Sequence, residues 1–263
     1  MDFMLWLFAF DDMADLGDFK IEGLKRAVDI TMNVLRKPNG VQPKLKIAAT
    51  LHSFVDRMRQ NGNPQAIRHF ADATEKYTRA IMREMVDKHS GYVQTLEEYR
   101  EYRQDTSGVK LCLAMLEYAH KINITDELLK DPIVSELSLA ANEILTWAND
   151  IFSFPNEQAR GHTHNLVFIL MWHNQIGVQD AVDHANKLIE SRLQDYLKAK
   201  ANLPSFGPDL DGELTRYVQG VEYCIQACID WSFLTIRYFG SNVTKVKATG
   251  VVELAPPSEG EQL

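Results

Sequence analysis

Between Ala66 and Ile81 the apolar residues Ala66, Phe70, Ala73, Tyr77 and Ile81 recur at spacings of four, three, four and four. That period marks one buried face of an α-helix, and it excludes a half-buried strand, whose side chains alternate with a period of two. Strand-like alternation bounded by tight turns is absent elsewhere, so the whole chain reads as helical. Helix-breaking signals fall at Lys37-Pro38-Asn39-Gly40, Asn61-Gly62-Asn63-Pro64, Ser90-Gly91, Asp131-Pro132, Gly161, Gly177 and Leu203-Pro204-Ser205-Phe206-Gly207-Pro208. The segments between them are about 12 to 30 residues long, which predicts an all-α, single-domain helical bundle or barrel rather than an α/β fold. Periodicity is lost after Phe239-Gly240, and Ala255-Pro256-Pro257-Ser258-Glu259-Gly260 has the composition of a disordered segment. The expected organisation is a helical domain over 1–240 and a tail over 241–263.

No Pro/Gly/Ser-rich linker divides the 263 residues, which supports one domain. The formal net charge is −8, a balance that argues against a nucleic-acid partner. An anionic substrate therefore needs a local cationic environment. Three cysteines, Cys112, Cys224 and Cys228, make no disulfide framework and suit a reducing compartment. Cys224 and Cys228 stand one helical turn apart, a spacing read here as packing. The apolar start, Met4-Leu5-Trp6-Leu7-Phe8-Ala9-Phe10, lacks a basic leader, carries Asp2 and runs straight into Asp11-Asp12. It is not read as a signal peptide, and it is too short to span a bilayer. The expected setting is cytoplasmic, without a membrane partner, as a monomer or homodimer.

Two oxygen-rich stripes carry the chemistry. In Asp11-Asp12-Met13-Ala14-Asp15 the first and last aspartates share a helical face, with Asp12 to one side. Asn149, Ser153 and Glu157 stand at i, i+4 and i+8, which sets three oxygen donors in a nearly straight row. Magnesium takes hard oxygen ligands and is commonly held by one or two carboxylates and completed by substrate phosphate oxygens. Two such stripes suffice to clamp a diphosphate. Acidic residues on a helix are usually solvated, but each of these rows emerges from a run suited to burial. The first follows Leu7-Phe8-Ala9-Phe10; the second follows Ile144-Leu145-Thr146-Trp147-Ala148. Buried carboxylates need partners, and a cation is the obvious one.

A further irregularity lies within the helical pattern of Tyr99 to His120. At Asp105-Thr106-Ser107-Gly108, three side chains that compete for backbone hydrogen bonds precede a glycine. Either a kink with local unwinding or a helix end and restart satisfies this pattern.

Taken together, the residues resemble the class I terpene synthases, whose DDxxD and N-D-x-x-S-x-x-x-E motifs bind three magnesium ions and a prenyl diphosphate. Arg103 lies 46 residues before Asn149, at the place of the family's diphosphate-sensing arginine, within Tyr99-x-x-x-Arg103-x-x-Thr106-Ser107-Gly108. Arg237-Tyr238, starting 88 residues after Asn149, matches the family's Arg-Tyr pair. The stretches Trp231 to Gly240, Glu157-Gln158-Ala159-Arg160-Gly161 and Leu203 to Pro208 look most like fungal, basidiomycete-type sesquiterpene synthases. The resemblance covers essentially the whole chain. It implies Asp11 as principal carboxylate ligand with Asp15 supporting it, and Asn149, Ser153 and Glu157 as ligands of another ion. Magnesium is the implied cofactor, with manganese as its substitute. It implies Arg103, Arg237 and Tyr238 as hydrogen-bond donors to the diphosphate, and Asp12 as a partner of Arg237. A backbone carbonyl near Thr106 and Ser107 is implied as an effector of ionisation. Farnesyl diphosphate is the expected substrate and geranyl diphosphate the shorter alternative. A carbocation left by diphosphate departure needs an apolar, aromatic pocket. Phe8, Phe10, Trp147, Phe152, Trp231 and Phe233 are the candidates, with two of the six expected to face it.

Two departures from the family pattern stand out. Relatives carry several dozen residues before the aspartate motif, whereas this chain starts ten residues before Asp11. The helical domain is therefore expected to lack the usual N-terminal helices here, by truncation, by an alternative start or as a minimal form; if the cavity is left open, water intercepts the cation early and acyclic or hydroxylated products are expected. Relatives also place a lysine immediately before the last motif glutamate, where this chain has Asn156; Arg160, one turn on, is the expected substitute charge. Two other readings remain open at this level. One is an isoprenyl diphosphate synthase, which shares the fold and DDxxD but uses a second aspartate-rich motif. The other is a non-catalytic prenyl-diphosphate-binding paralogue.

Overall fold

A computed structural model describes residues 1–15, 21–37 and 40–256, without the side chains of Asp15 and His89. The expected tail residues 257–263 and the break at Pro38-Asn39 lie outside the described residues. Among those described there is no strand. The helices are α1 (Asp2–Asp15), α2 (Ile21–Arg36), α3 (Lys46–Asn61), α4 (Pro64–Ser90), α5 (Leu96–Thr106), α6 (Val109–Ala119), α7 (Asp126–Lys130), α8 (Pro132–Gln158), α9 (Leu166–Asn174), α10 (Val178–Ala201), α11 (Pro208–Ser232) and α12 (Val243–Thr249). No described helix is long and apolar enough to cross a membrane.

The helices sort into two compact units. One comprises Met1–Ser90 with Asp105–Thr125, and the other Gly91–Gln104 with Asp126–Leu263. In the first unit the predicted stripe on α4 is buried at all five positions, Ala66, Phe70, Ala73, Tyr77 and Ile81. On α1, Phe3, Trp6, Leu7 and Phe10 are buried at i, i+3, i+4 and i+7, while Met4 and Leu5 stay exposed. Phe3, Phe54 and Phe70 form a triangle of edge-on rings with centroids 5.7 to 6.3 Å apart. Trp6 leans on Phe54 at 6.1 Å and on Phe10 at 5.5 Å. Each such side chain contributes roughly 1.5–3 kcal/mol by leaving water, so this face of α1 is part of the core.

The second unit is organised around α8, against which α7, α9, α10 and α11 pack. Its start is written in the sequence: Pro132 occupies the first turn and Asp131 caps it, accepting from the backbone N–H of Ile133 at 2.9 Å and Val134 at 3.2 Å. Trp147 and Phe154 from α8 join Tyr99, Leu166, Val167, Ile169, Leu170, Ala181 and Ala185 in one apolar cluster. Pro155 lies inside the helix without ending it; the helix stops at Gln158, three residues later. A proline there has no N–H to donate to the carbonyl of Ile151.

Three local outcomes differ in their legibility. The irregularity after Gln104 resolves as an end and restart: α5 stops at Thr106, Gly108 adopts φ +72°, and α6 begins at Val109. The Gly108 carbonyl then accepts from Leu111 and Cys112, at 3.1 and 3.2 Å. The end of α6 carries no glycine or proline signal. There Lys121 turns the chain at φ +52°, and Ile122 and Ile124, both fully buried, fix it. Residues 241–249, read from sequence as the start of a tail, belong to a 3-10 turn (Gly240–Asn242) and α12. Seven residues are too few to display a period, but Val243 and Val246 pack with Tyr238, Phe239, Phe152 and Phe233.

A side chain at position 108 meets two obstacles, a left-handed backbone and Leu7, whose carbons lie 3.2 and 3.3 Å from where a Cβ stands. Gly108→Ala is expected to destabilise the protein by about 1–2 kcal/mol from the backbone conformation alone, checked by urea denaturation.

Candidate functional site

In the first unit the aspartate stripe sits at the C-terminal end of α1, with Asp11 and Asp12 both half-buried. Tyr77 donates to one carboxylate oxygen of Asp11 at 3.1 Å, and its ring meets that of Phe10 at 6.0 Å. The Asp15 side chain lies outside the described residues. Phe8 is half-buried, three residues before Asp11 on α1, whereas Phe10 is fully buried and belongs to the core. Thr106 is buried; Ser107 is half-buried and its hydroxyl accepts from the Val109 N–H at 3.3 Å. That contact starts α6 beside the left-handed Gly108.

The second unit holds the other residues. On α8, Asn149 and Glu157 are half-buried and Ser153 is buried. Between them stands Asp150, fully buried, with a set of donors from three directions. From α5, Arg103 donates to Asp150 Oδ1 through Nη2 at 2.8 Å and Nε at 3.2 Å. Tyr99 Oη, one turn earlier on α5, donates a short hydrogen bond to Asp150 Oδ2. The first N–H of α9, from Leu166, donates to the same oxygen at 3.1 Å. Helix N-termini favour negative charge, so α9 adds to the attraction.

These contacts place the predicted residues. Arg103 Nη2 also reaches Asn149 Oδ1 at 3.3 Å, and Asn149 Nδ2 donates to Tyr238 Oη at 2.8 Å. Arg103, Asn149 and Tyr238 thus form a continuous chain of hydrogen bonds. Asn165, fully buried before α9, donates to the Asp150 carbonyl at 2.8 Å and to Glu157 Oε2 at 2.9 Å. Its own oxygen caps α9 by accepting from the Val167 N–H at 2.8 Å. Ser153 makes a long contact, 3.5 Å, with the Asp150 carbonyl.

Burial opposes the charge on Arg103, but the neighbouring Asp150 carboxylate outweighs it and holds the guanidinium protonated more firmly than usual. Burial, then the Asp150 charge, pushes the Tyr99 phenol well above its ordinary range, so it remains a neutral donor. Burial pushes the Tyr238 phenol up to about 12. Glu157 is raised as well, first by burial and then by repulsion from Asp150, with Arg103 and Asn165 opposing. A carboxylate that burial and a second anion both disfavour is suited to a cation. With the Asn149 amide and Ser153 hydroxyl on the same helical face, the donor set fits a hard divalent ion.

The remaining expectations divide. Trp147 is fully buried in the core, where the Arg100 guanidinium stands over its ring at 5.4 Å. Phe152 and Phe233 stack edge-on at 5.3 Å in the cluster that supports Tyr238. Trp231 is partly exposed and meets the Tyr238 ring at 5.9 Å. Arg160 and Arg237 are exposed. Asp12 belongs to the first unit and Arg237 to the second.

Sequence reasoning missed Tyr99, Asp150 and Asn165 as members of this hydrogen-bond network. A signal existed for two of them. Tyr99 stands four residues before Arg103 and shares its helical face, and Asn165 precedes the apolar run Leu166 to Met171 as a helix cap does.

Comparison with known proteins places the chain in a family. Residues 2–195 match "Terpene synthase family 2, C-terminal metal binding". Sesquiterpene synthase Agr1 of Cyclocybe aegerita is 35% identical over 97% of this chain and 73% of its own length. Sesquiterpene synthase 3 of Postia placenta is 38% identical over 97% of this chain and 69% of its own. Among solved structures, the linalool/nerolidol synthase from Streptomyces clavuligerus in complex with 2-fluorogeranyl diphosphate superposes with a TM-score of 0.77. It shares 19% sequence identity, over 88% of this chain and 80% of that one, which shows the fold.

Removing the Asp150 charge leaves Arg103 buried without its counter-ion. Asp150→Ala is expected to cost about 3–5 kcal/mol, and the Asp150→Ala/Arg103→Ala double variant less than the sum of the two single losses. Urea denaturation of all three variants measures both. The all-α fold, the family match over most of the chain and the relatives' sequence identity together make this chain a member of the class I terpene synthase family, a terpene-forming lyase of the fungal sesquiterpene synthase type.

Proposed function

We propose that the chain ionises a prenyl diphosphate, farnesyl diphosphate in preference to geranyl diphosphate, and releases diphosphate with a sesquiterpene or terpene alcohol. The observation that carries this reading is the row Asn149, Ser153 and Glu157 on one face of α8, with Arg103 and Tyr238 hydrogen-bonded to its first member. That the relatives are sesquiterpene synthases supports the fifteen-carbon substrate.

In this reading Asp11 and Asp15 supply carboxylate ligands to magnesium, and Asn149, Ser153 and Glu157 supply a second ligand set. Three ions are expected, and they contribute Lewis-acid neutralisation of the diphosphate oxygens. The protein contributes donors. Arg103 and Arg237 offer planar forks that match phosphate oxygens, Tyr238 offers a neutral phenol, and Arg160 adds positive charge beside Glu157. As the allylic carbon–oxygen bond breaks, its electron pair leaves with diphosphate, and donors aimed at that developing charge lower the barrier. No protein nucleophile is needed. The allylic cation then loses a proton or captures water. Phe8, three residues before Asp11, and Trp231, beside Tyr238, are assigned to its shelter, and a carbonyl near Thr106 and Ser107 to its stabilisation.

Incubating the chain with each prenyl diphosphate and magnesium, then analysing volatiles by mass spectrometry, tests the reading. Asp11→Ala and Asn149→Ala are each expected to lower product formation by about two orders of magnitude or more, and unchanged yield in both variants overturns the site. Elongated prenyl diphosphates instead of volatile terpenes identify a prenyltransferase. Tight binding of the substrate without diphosphate release identifies a non-catalytic binder.

A further inference from the structure

We propose that Asn156 is a positioning residue: its side-chain amide latches the segment that carries Arg237 and Tyr238 onto α8 and sets those two side chains for the substrate diphosphate. The inference rests on the function proposed above and assigns Asn156 a part in it.

Asn156 Nδ2 donates to the backbone carbonyls of Arg237 and of Tyr238, both at 3.0 Å. An amide nitrogen has two hydrogens, so the two bonds use its full donor capacity on adjacent residues. The segment it holds needs holding. Residues 233–239 lie between the end of α11 and the 3-10 turn and belong to no helix, so they lack a regular hydrogen-bond ladder.

The latch is one of three grips on Tyr238 from a single stripe of α8. Asn149, Phe152 and Asn156 stand at i, i+3 and i+7 and share a face. Asn149 donates to the phenol oxygen at 2.8 Å. Phe152 meets the ring, with centroids 6.3 Å apart. Asn156 takes the backbone. The outcome is a buried Tyr238 with an exposed Arg237 beside it. A second amide on the last turn of α8, Gln158 Nε2, donates to the Ala255 carbonyl at 2.6 Å, so the chain beyond α12 is tied to the same helix end. The position where the sequence suggested a missing cation therefore carries a neutral double donor. Its chemistry suits carbonyls, and it leaves direct contact with phosphate to Arg237 and Tyr238.

Asn156→Ala removes both bonds, and Asn156→Asp keeps the shape while turning two donors into acceptors that oppose the carbonyls. Two readouts are made on the full chain. Hydrogen exchange of the amides in 235–242 is expected to accelerate at least about fivefold in both variants, with the melting temperature changed little, because the bonds lost lie in a turn rather than in the core. Steady-state kinetics with farnesyl diphosphate and magnesium are expected to show kcat/KM lowered about tenfold in Asn156→Ala and further in Asn156→Asp, a loss of the size one or two charge-oriented hydrogen bonds carry. In the Tyr238→Phe, Arg237→Ala background the Asn156→Ala loss is expected to vanish, since the residues it positions are no longer there. Wild-type exchange and kinetics in both variants overturn the latch and leave the proposed function standing. A loss that persists undiminished in the doubly substituted background also overturns it. If the unmodified chain turns over no prenyl diphosphate while exchange still accelerates in the variants, the functional reading fails and the latch survives only as a fold contact.

Discussion

The second unit depends on one buried charge. Taking the Asp150 carboxylate out of water costs several kcal/mol even after relaxation, and a side chain with no accessible surface has no water to fall back on. Four donor contacts offset that cost: two from Arg103, one from Tyr99 and one from the N-terminus of α9. Three come from α5 and one from α9, so the carboxylate is fully satisfied only when α5, α8 and α9 are all in register. A second buried carboxylate repeats the arrangement two turns earlier on α8. Glu143 lies between Arg100 of α5 and Arg192 of α10. Arg192 approaches it closely in an ion pair whose alignment misses a hydrogen bond, while it makes regular ones to Glu136 and Asp195. Arg100 and Arg103 are three apart on α5, and Glu143 and Asp150 are seven apart on α8. Two charge pairs at those offsets hold the two helices against sliding, because a shift of one turn separates Arg100 from Glu143 and Arg103 from Asp150.

The site follows from this registry. Once Asp150 points inward toward α5 and α9, helical geometry sends Asn149 about 100° to one side of it and carries Ser153 and Glu157 along the same stripe as Asn149. Arg103 bridges the structural anion and the functional row, because the nitrogen that binds Asp150 also touches Asn149. The charge balance explains why this row suits a cation. The buried Asp150 and the half-buried Glu157 share one arginine, and Glu157 is raised by burial and then by repulsion from Asp150. A protein that only had to be stable gains nothing from that surplus; a protein that must hold a divalent ion does.

Particular residues show why some of this was legible in the sequence and some was not. The α4 stripe and the breaks at Asp131-Pro132 and Asn61-Gly62-Asn63-Pro64 were readable because period and helix-breaking residues are local properties, carried by residues within one or two turns. The row of Asn149, Ser153 and Glu157 was readable as an oxygen-rich stripe for the same reason, since the three lie within nine consecutive residues. Asp150 was in plain view inside that motif, yet its role depends on Tyr99, Arg103 and Leu166, and nothing local distinguishes a buried aspartate from a solvated one. Asn165 was visible as a cap; its second task, a bond to Glu157, is a tertiary fact. The turn at Lys121 was unreadable because a non-glycine residue with positive φ is set by its surroundings, here two buried isoleucines, rather than by its own preference. Short α12 escaped for want of length.

The two functional stripes are mounted on their helices by one device. On α1 the residues Phe3, Trp6, Leu7 and Phe10 are buried, and Phe8, Asp11, Asp12 and Asp15 follow on a neighbouring strip at i, i+3, i+4 and i+7. On α8 a polar strip runs from Asn142, which donates to the Gln104 carbonyl, through Thr146, which donates to Asn142, to Asn149, Ser153 and Glu157. In both cases the polar strip borders an apolar one within a single rigid element, so the core packing that fixes the helix rotation also aims the oxygen donors. Sites carried on regular elements are held more narrowly than sites on loops. The exception is the Arg237-Tyr238 segment, which lies outside any helix and takes its order from the side chains of α8. The group farthest from a helical scaffold is thereby referred back to the same helix that bears the metal row, and α8 becomes the common frame for the carboxylate, the amide and the phenol.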